Sequence, residues 1–236
     1  MTDDSADSSA ADPSSDSSPV PEDPSLRVDA RHDYQKSALE ITEVDADPIA
    51  QFRTWFDEAR AADLVEPAAM ALGTIDRHGH PQVRMVLLRE VRPDGFVFFT
   101  NYESAKGAEL AAHPHAALTF HWDRLERQVR IIGAAERLDA AASDRYFDSR
   151  PRRSRIAAIA SPQSQVISDR AMLERAFEEA TSIAGEEGPI ARPASWGGFV
   201  VRPHTIEYWQ GRRHRLHDRL RYRAREGGWS IERLAP

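Results

Sequence analysis

Between Ala69 and Asn101, three apolar runs are separated by two turns that are too short to hold a helix. AMALGTIDR ends at His78-Gly79-His80-Pro81, QVRMVLLREV follows, and Pro93-Asp94-Gly95 leads into FVFFTN. Glycine tolerates positive φ and proline presets φ near −65°, so both strings read as turns. Parallel strands need a crossover of about a dozen residues. Turns this short therefore commit the three runs to antiparallel strands, read here as a meander, and a doubly wound parallel fold is not expected.

The flanking chain fills in the rest. Asp47 as cap and Pro48 in the first turn open a helix that places Ile49, Phe52, Trp55, Phe56 and Ala59 on one face. Residues 103–113 read as a short helix, HAALTFHW and RQVRIIGAAERL as two strands, and residues 140–184 as helical with breaks at Pro151 and Pro162. WGGFVVRPHTIEYWQG, RRHRLHDRLRYRA and GWSIERL return to β structure. Strands, a helical insert and more strands make an α+β fold, an antiparallel barrel or curved sheet with helices packed outside.

Composition matters at two points. The absence of cysteine excludes disulfides, thiolate metal sites and cysteine nucleophiles. The net charge of −7 matches the seven acids of residues 1–25, a segment with no Lys or Arg, so residues 26–236 are formally neutral and can hold local basic sites. That Ser/Asp-rich segment has little apolar surface to bury and is expected to be disordered, leaving 26–236 as the folded domain. The chain lacks a signal-type start and an apolar run long enough to span a bilayer, so a cytoplasmic location and no membrane partner are expected.

Three groups of residues can carry chemistry. In Arg215-Leu-His217-Asp-Arg219, read as strand, Arg215, His217 and Arg219 share one face, an arrangement that suits a bound phosphate or carboxylate or else a solvated edge. Tyr146 and Arg150 lie four apart on a helix, with Ser154 just past a proline. Together they form a donor set for a phosphomonoester, with a basic helix end or a nucleic-acid patch as the competing readings. Lys106 is one of only two lysines, with Lys36, and opens a helix after a strand, where backbone N–H groups favour an anion. Tyr102-xxx-Lys106 has the spacing of short-chain dehydrogenases, but their early glycine-rich turn is missing. The pairs His78/His80 and His113/His115 flank turns without a third ligand, so no metal is expected. Trp196-Gly-Gly and Trp209-Gln-Gly can stack on a ring system or fill the core.

The strings RMVLLR, FFTNYESAK, ERQVRIIGAAERL, YFDSRPRRS, SPQS, WGGF, IEYWQG and RLHDR, in this order from about Arg31 to the C-terminus, resemble the pyridoxine/pyridoxamine 5′-phosphate oxidase family. The resemblance implies a split β-barrel homodimer with FMN at the subunit interface. It further implies oxidation of pyridoxamine 5′-phosphate and pyridoxine 5′-phosphate to pyridoxal 5′-phosphate, with O2 as acceptor and H2O2 as product, and no nucleic-acid partner. Residue by residue, it puts Arg84, Met85, Val86, Leu87, Leu88, Arg89, Phe99, Thr100, Ala105, Lys106, Gln128, Gln163, Ser164, Trp209 and Arg219 at flavin positions, with Arg84 and Lys106 on the FMN phosphate. Arg31, Tyr34, Arg89, Tyr146, Arg150, Ser154, Arg215 and His217 fall at substrate positions, Arg215 and His217 being the catalytic pair over the pyridine ring.

The chain departs from the family pattern at Arg89 for Lys, Phe99 for Tyr and Ala105 for Arg. The last removes a cation from the FMN phosphate. A split-barrel flavin or deazaflavin reductase would not need the substrate set. A non-catalytic flavin or pyridoxal phosphate carrier would need no turnover.

Overall fold

The computed structural model describes Met1, Tyr34 and residues 36–236. Arg31 and, Met1 aside, the acidic segment expected to be disordered lie outside these residues. Five α-helices and nine strands follow in the order α1 (Pro48–Ala61), β1 (Ala69–Ile75), β2 (Pro81–Leu87), β3 (Glu90–Arg92), β4 (Gly95–Asn101), α2 (Ala105–Ala112), β5 (His115–Trp122), β6 (Arg127–Arg137), α3 (Ala140–Ser149), α4 (Arg152–Ala160), α5 (Arg170–Ala184), β7 (Trp196–Gln210), β8 (Asp218–Arg225) and β9 (Gly228–Arg233). Asp47, Ser104, Asp139 and Asp169 cap α1, α2, α3 and α5 by accepting a backbone N–H of the first turn. Each such cap is worth about 1 kcal/mol over alanine. No helix among the described residues is long and apolar enough to cross a membrane.

All strand pairs are antiparallel, in the order β2-β1-β5-β6-β7-β4-β3, with β8 on β7 and β9 on β8. The meander expected for the first three runs is therefore corrected. The run QVRMVLLREV is not one strand, because it breaks at Leu88-Arg89, and β2 and β3 stand at opposite ends of the strand order. Two residues join those ends: Leu88 N–H donates to Ala68 O at 2.9 Å and Arg89 N–H to Val97 O at 2.8 Å. So short a link between the outer strands requires the sheet to curl into a split barrel. Its interior takes alternate residues of β5 and β6, including Leu118, Phe120, Trp122, Val129 and Ile131. The face of α1 closes the core, where Phe52 meets Phe96 and Phe120 at 4.8 and 5.1 Å between centroids and Trp55 meets Tyr208 at 5.0 Å. A fully buried ring of this kind contributes about 1.5–3 kcal/mol by burial.

The long strand β7 organises function. Its first part, Trp196–Val201, pairs with β4, and its last part, Thr205–Gln210, pairs with β8. Pairing closes at Gln210 with Asp218, leaving residues 211–217 as a loop. The expected strand through RRHRLHDR is thus corrected: Arg213–Arg215 form a single 3-10 turn in which His214 and Arg215 have φ of 56° and 61°, and only Asp218 and Arg219 enter the ladder. The side chain of Asp218 accepts from Leu39 N and Arg233 Nη1 at 3.1 and 2.7 Å, which anchors the strand start there.

Candidate active site

At the Trp196 end of β7 a cleft of about 440 Å³ opens, a volume within the ~300–1,000 Å³ usual for ligand sites. Met85, Val86 and Leu87 from β2 and Phe99 and Thr100 from β4 form part of its wall. Arg89, Lys106, Tyr146, Arg150, Gln163 and Trp196 reach it from the β2–β3 link, α2, α3, its C-terminal cap, the α4–α5 linker and β7. Its charged lining is Arg89, Lys106 and Arg150, with no carboxylate. Phe99 stacks on Tyr146 at 3.8 Å and on Trp196 at 5.4 Å between centroids, so the aromatic wall is preformed.

The cations are held in wait. Arg150 Cζ lies 4.7 Å from the Trp196 ring centroid, and its Nη1 is buried without a hydrogen-bond partner. A buried donor left unpaired costs about 1–3 kcal/mol, which an anion in the cleft can recover. Burial lowers the Arg150 pKa, as does the charge of Arg89, while Tyr146 opposes the shift. Lys106 is half-buried, and burial followed by the charge of Arg84 lowers its pKa against the pull of Glu109. Gln163 Oε1 accepts from Thr100 Oγ1 at 3.1 Å, Asn101 N at 3.3 Å and Lys106 Nζ at 3.5 Å, tying the α4–α5 linker to the cleft wall.

Other residues expected at the site fall outside the cleft lining. Arg84 turns to Glu109, at 2.8 Å, and to Thr74, whose hydroxyl also donates to Glu109 at 2.5 Å. Leu88 is buried in the core, Ala105 is exposed at the first position of α2, Ser154 lies on α4, and Ser164 follows Gln163 with φ 72°. The basic run is sorted by contact. Arg152 donates to the carbonyls of Ala184, Gly185 and Gly188, Arg153 sits 5.7 Å over Phe177, and Arg155 stands 4.0 Å from Asp148, so Arg150 is the arginine of this run that lines the cleft. Asn101, Ser161 and the carboxylate of Glu109 escaped the sequence reading. For Glu109 the signal was its place one helical turn after Lys106.

A second group gathers at the other end of β7. Gln128, Trp209 and Arg219 stand side by side across β6, β7 and β8. Arg219 Nε donates to the buried Glu207 at 2.8 Å, and Arg130 approaches the same carboxylate at 3.4 Å. Tyr34 packs edge-on against Trp209 and His217, each at 5.6 Å between centroids, and Trp209 lies 4.7 Å from His217. Arg215 is exposed on the adjoining loop. None of these residues lines the cleft. Thirteen residue steps along β7 separate Trp196 from Trp209, roughly 40 Å of strand at ~3.3 Å per step.

Residues 56–184 match the family profile described as pyridoxamine 5′-phosphate oxidase, and residues 196–236 match the pyridoxine 5′-phosphate oxidase C-terminal dimerisation region. The chain belongs to the pyridoxine/pyridoxamine 5′-phosphate oxidase family. It is 52% identical over 211 residues to the pyridoxine/pyridoxamine 5′-phosphate oxidase of Salinibacter ruber, covering 89% of this chain and 98% of that one. Pyridoxine/pyridoxamine 5′-phosphate oxidase 1 of Ralstonia nicotianae is 53% identical over 210 residues, again covering 89% and 98%. Among solved structures, PhzG from Burkholderia lata, in complex with tetrahydrophenazine-1-carboxylic acid, superposes with a TM-score of 0.79 at 28% identity over 85% of this chain and 99% of that chain. A pyridoxamine 5′-phosphate oxidase-related, FMN-binding protein from Nostoc punctiforme shares the fold, with a TM-score of 0.64 at 18% identity over 78% of this chain and 97% of that one. In this oxidase-family chain, the dimerisation region runs from the cleft end of β7 through the Arg215 loop to the C-terminus.

Proposed function

We propose that the chain oxidises pyridoxamine 5′-phosphate and pyridoxine 5′-phosphate to pyridoxal 5′-phosphate with FMN as cofactor, and that two copies are needed to build each site. The observation that carries the reading is a cleft, in a chain of this family, whose charged lining is Arg89, Lys106 and Arg150 and nothing acidic. Such a lining fits two phosphate esters, one on the cofactor and one on the substrate. The unpaired Arg150 Nη1 and the Lys106 ammonium fit FMN and its phosphorylated substrate in chemistry, and the stacked aromatic wall fits them in shape.

In this reading Met85–Leu87, Phe99, Thr100, Lys106 and Gln163 hold the flavin, with Arg84 reinforcing the field around Lys106. Arg89, Tyr146 and Arg150 grip the substrate phosphate. Gln128, Trp209, Arg219, Tyr34, Arg215 and His217 do not line the cleft of their own chain, so in this reading they serve the cleft of the other copy in a homodimer. There Arg215 orients and polarises the substituent on C4′, and His217 holds the pyridine ring through its phenolic oxygen. Bound FMN would supply the two-electron acceptor for C4′, with O2 as the final acceptor and H2O2 as product; pyridoxamine 5′-phosphate also takes up water and releases its amine as ammonia. The protein contributes position and field, and the phosphate grip supplies binding energy remote from the reacting carbon.

The test is to load the protein with FMN, add pyridoxamine 5′-phosphate without oxygen, and then admit air. Bleaching of the flavin absorption followed by its recovery, with pyridoxal 5′-phosphate and peroxide formed, is the expected course. A flavin that binds and never bleaches overturns the oxidase reading in favour of a carrier.

A further inference from the structure

The loop between β7 and β8 must reverse the chain in residues 211–217 without a ladder, since pairing stops at Gln210 and Asp218. It does so through two consecutive residues with positive φ, His214 at 56° and Arg215 at 61°, a conformation disfavoured for any residue that carries a Cβ. Something must hold it. One closing bond is made by backbone, Leu216 N–H to Arg213 O at 3.1 Å. The other is made by a side chain: Arg212 N–H donates to His217 Nδ1 at 3.1 Å.

The imidazole that makes this bond has little room to turn. Trp209 and Tyr34 pack against it, and Tyr34 in turn lies so close to Gly211 that a Cβ there would stand 2.6 Å from Tyr34 Cγ. Accepting from Arg212 commits the lone pair of Nδ1, so the neutral ring carries its proton on Nε2. We propose that His217 is a positioning residue for Arg215: its Nδ1 closes the turn that presents the Arg215 guanidinium, and its Nε2–H is left as a hydrogen-bond donor to the substrate. This role rests on the oxidase reading above. It makes the imidazole a clamp and a donor, not a base that removes a substrate proton.

The charged and titratable groups around the ring are Arg212 and Arg215 from its own loop, Asp218 at the head of β8 and Tyr34 from the N-terminal segment. Burial, then Arg215, lowers the His217 pKa, and Asp218 opposes them. The ring is therefore neutral at pH 7. Protonation, on the acid side of the ordinary histidine value of about 6.5, turns Nδ1 into a donor facing the Arg212 N–H and opens the turn.

Two substitutions separate clamp from contact. His217→Asn puts an acceptor oxygen where Nδ1 stands and nothing at Nε2, whereas His217→Gln reaches the Nε2 position and leaves the Arg212 N–H unpaired. Equilibrium binding of pyridoxal 5′-phosphate to the FMN-loaded protein is measured for both, each with and without Arg215→Ala. The expected result is that His217→Gln weakens binding about ten-fold with Arg215 present and less than about two-fold without it, a coupling of ordinary size for residues that act together. His217→Asn costs the same in both backgrounds. It also removes the loss of affinity on the acid side that the parent shows beyond the ligand phosphate's own titration, near pH 6. Equal costs of Gln in the two backgrounds, or an Asn variant that keeps the parent's acid-side loss, overturn the clamp. A parent protein that does not bind pyridoxal 5′-phosphate at all overturns the oxidase reading instead.

Discussion

The two ends of β7 build binding surface in opposite ways. At Trp196 the groups sit on regular elements. Tyr146 and the Arg150 cap share one end of α3, the near-parallel rings of Phe99, Tyr146 and Trp196 cluster together, and Gln163 pins the linker to Thr100 and Lys106. At Trp209 the side chains Arg215 and His217 leave the ladder, and their loop depends on left-handed backbone, one imidazole hydrogen bond and the approach of Tyr34 to Gly211. The lesson is a division of labour. In the proposed reading the helix-walled end is a preformed receptor for phosphate and flavin, while the loop end is a poised contact that can be loosened by one proton or one Cβ.

The largest effect is expected from Arg150→Ala. If the cleft grips the substrate phosphate, losing a desolvated charge-assisted contact of about 2–4 kcal/mol raises KM for pyridoxamine 5′-phosphate by roughly 30- to 900-fold. Steady-state oxidase assays check it, and a KM within about three-fold of the parent would mean that the phosphate is held elsewhere. The matching change at the other end is Gly211→Ala, whose Cβ would stand 2.6–2.9 Å from Cγ, Cβ and Cδ1 of Tyr34. Those atoms lie near the Tyr34 backbone, so the segment itself must move. The expected effect is a KM increase of about ten-fold with FMN affinity unchanged, since a displacement of about 1 Å in a positioning group costs catalysis heavily. Loss of FMN on the same substitution would instead show that the displacement of Tyr34 reaches Trp209 and its flavin-side neighbours.

The sequence was most legible where side chains sit on periodic elements. The α1 face, the Asp47 cap and the strands from Ala69 to Trp122 follow from spacing and turn residues alone, apart from the break at Leu88-Arg89. That break joins opposite ends of a curled sheet, a long-range closure that leaves no local periodic mark. The helix pair Tyr146 and Arg150 was likewise readable from its four-residue spacing, and the cleft contains both. The strand reading of RLHDR failed because Asp218 is drawn to Leu39 and Arg233, contacts 179 and 15 residues away in sequence that fix where β8 begins. Nor could spacing show that Trp196 and Trp209, each within two residues of a glycine, belong to different faces of function, because only the length of β7 separates them.

Smaller effects probe the cation pair at the cleft end. Lys106→Arg addresses charge loss: burial and Arg84 lower the lysine pKa, so its ammonium is lost on the alkaline side below the ordinary value of 10.5. The FMN affinity of the apoprotein, read by quenching of flavin fluorescence, is expected to fall as pH rises toward 10, and Lys106→Arg should flatten that slope because a guanidinium does not titrate there. An unchanged slope would remove Lys106 from the phosphate.

Ala105→Arg asks less of the structure and tests the departure from the family pattern. Position 105 is exposed at the start of α2, next to Lys106, where a long cationic side chain can reach a phosphate at the cleft rim. The helix dipole disfavours a cation in a first turn by about 0.3–1 kcal/mol, and a charge-assisted bond to a dianion returns about 1.5–3 kcal/mol. The net gain expected is about 1 kcal/mol, a five-fold tighter FMN dissociation constant, with KM for the substrate unmoved. Retention no better than the parent's would place the flavin phosphate beyond reach of position 105 and leave Lys106 to hold it without that help.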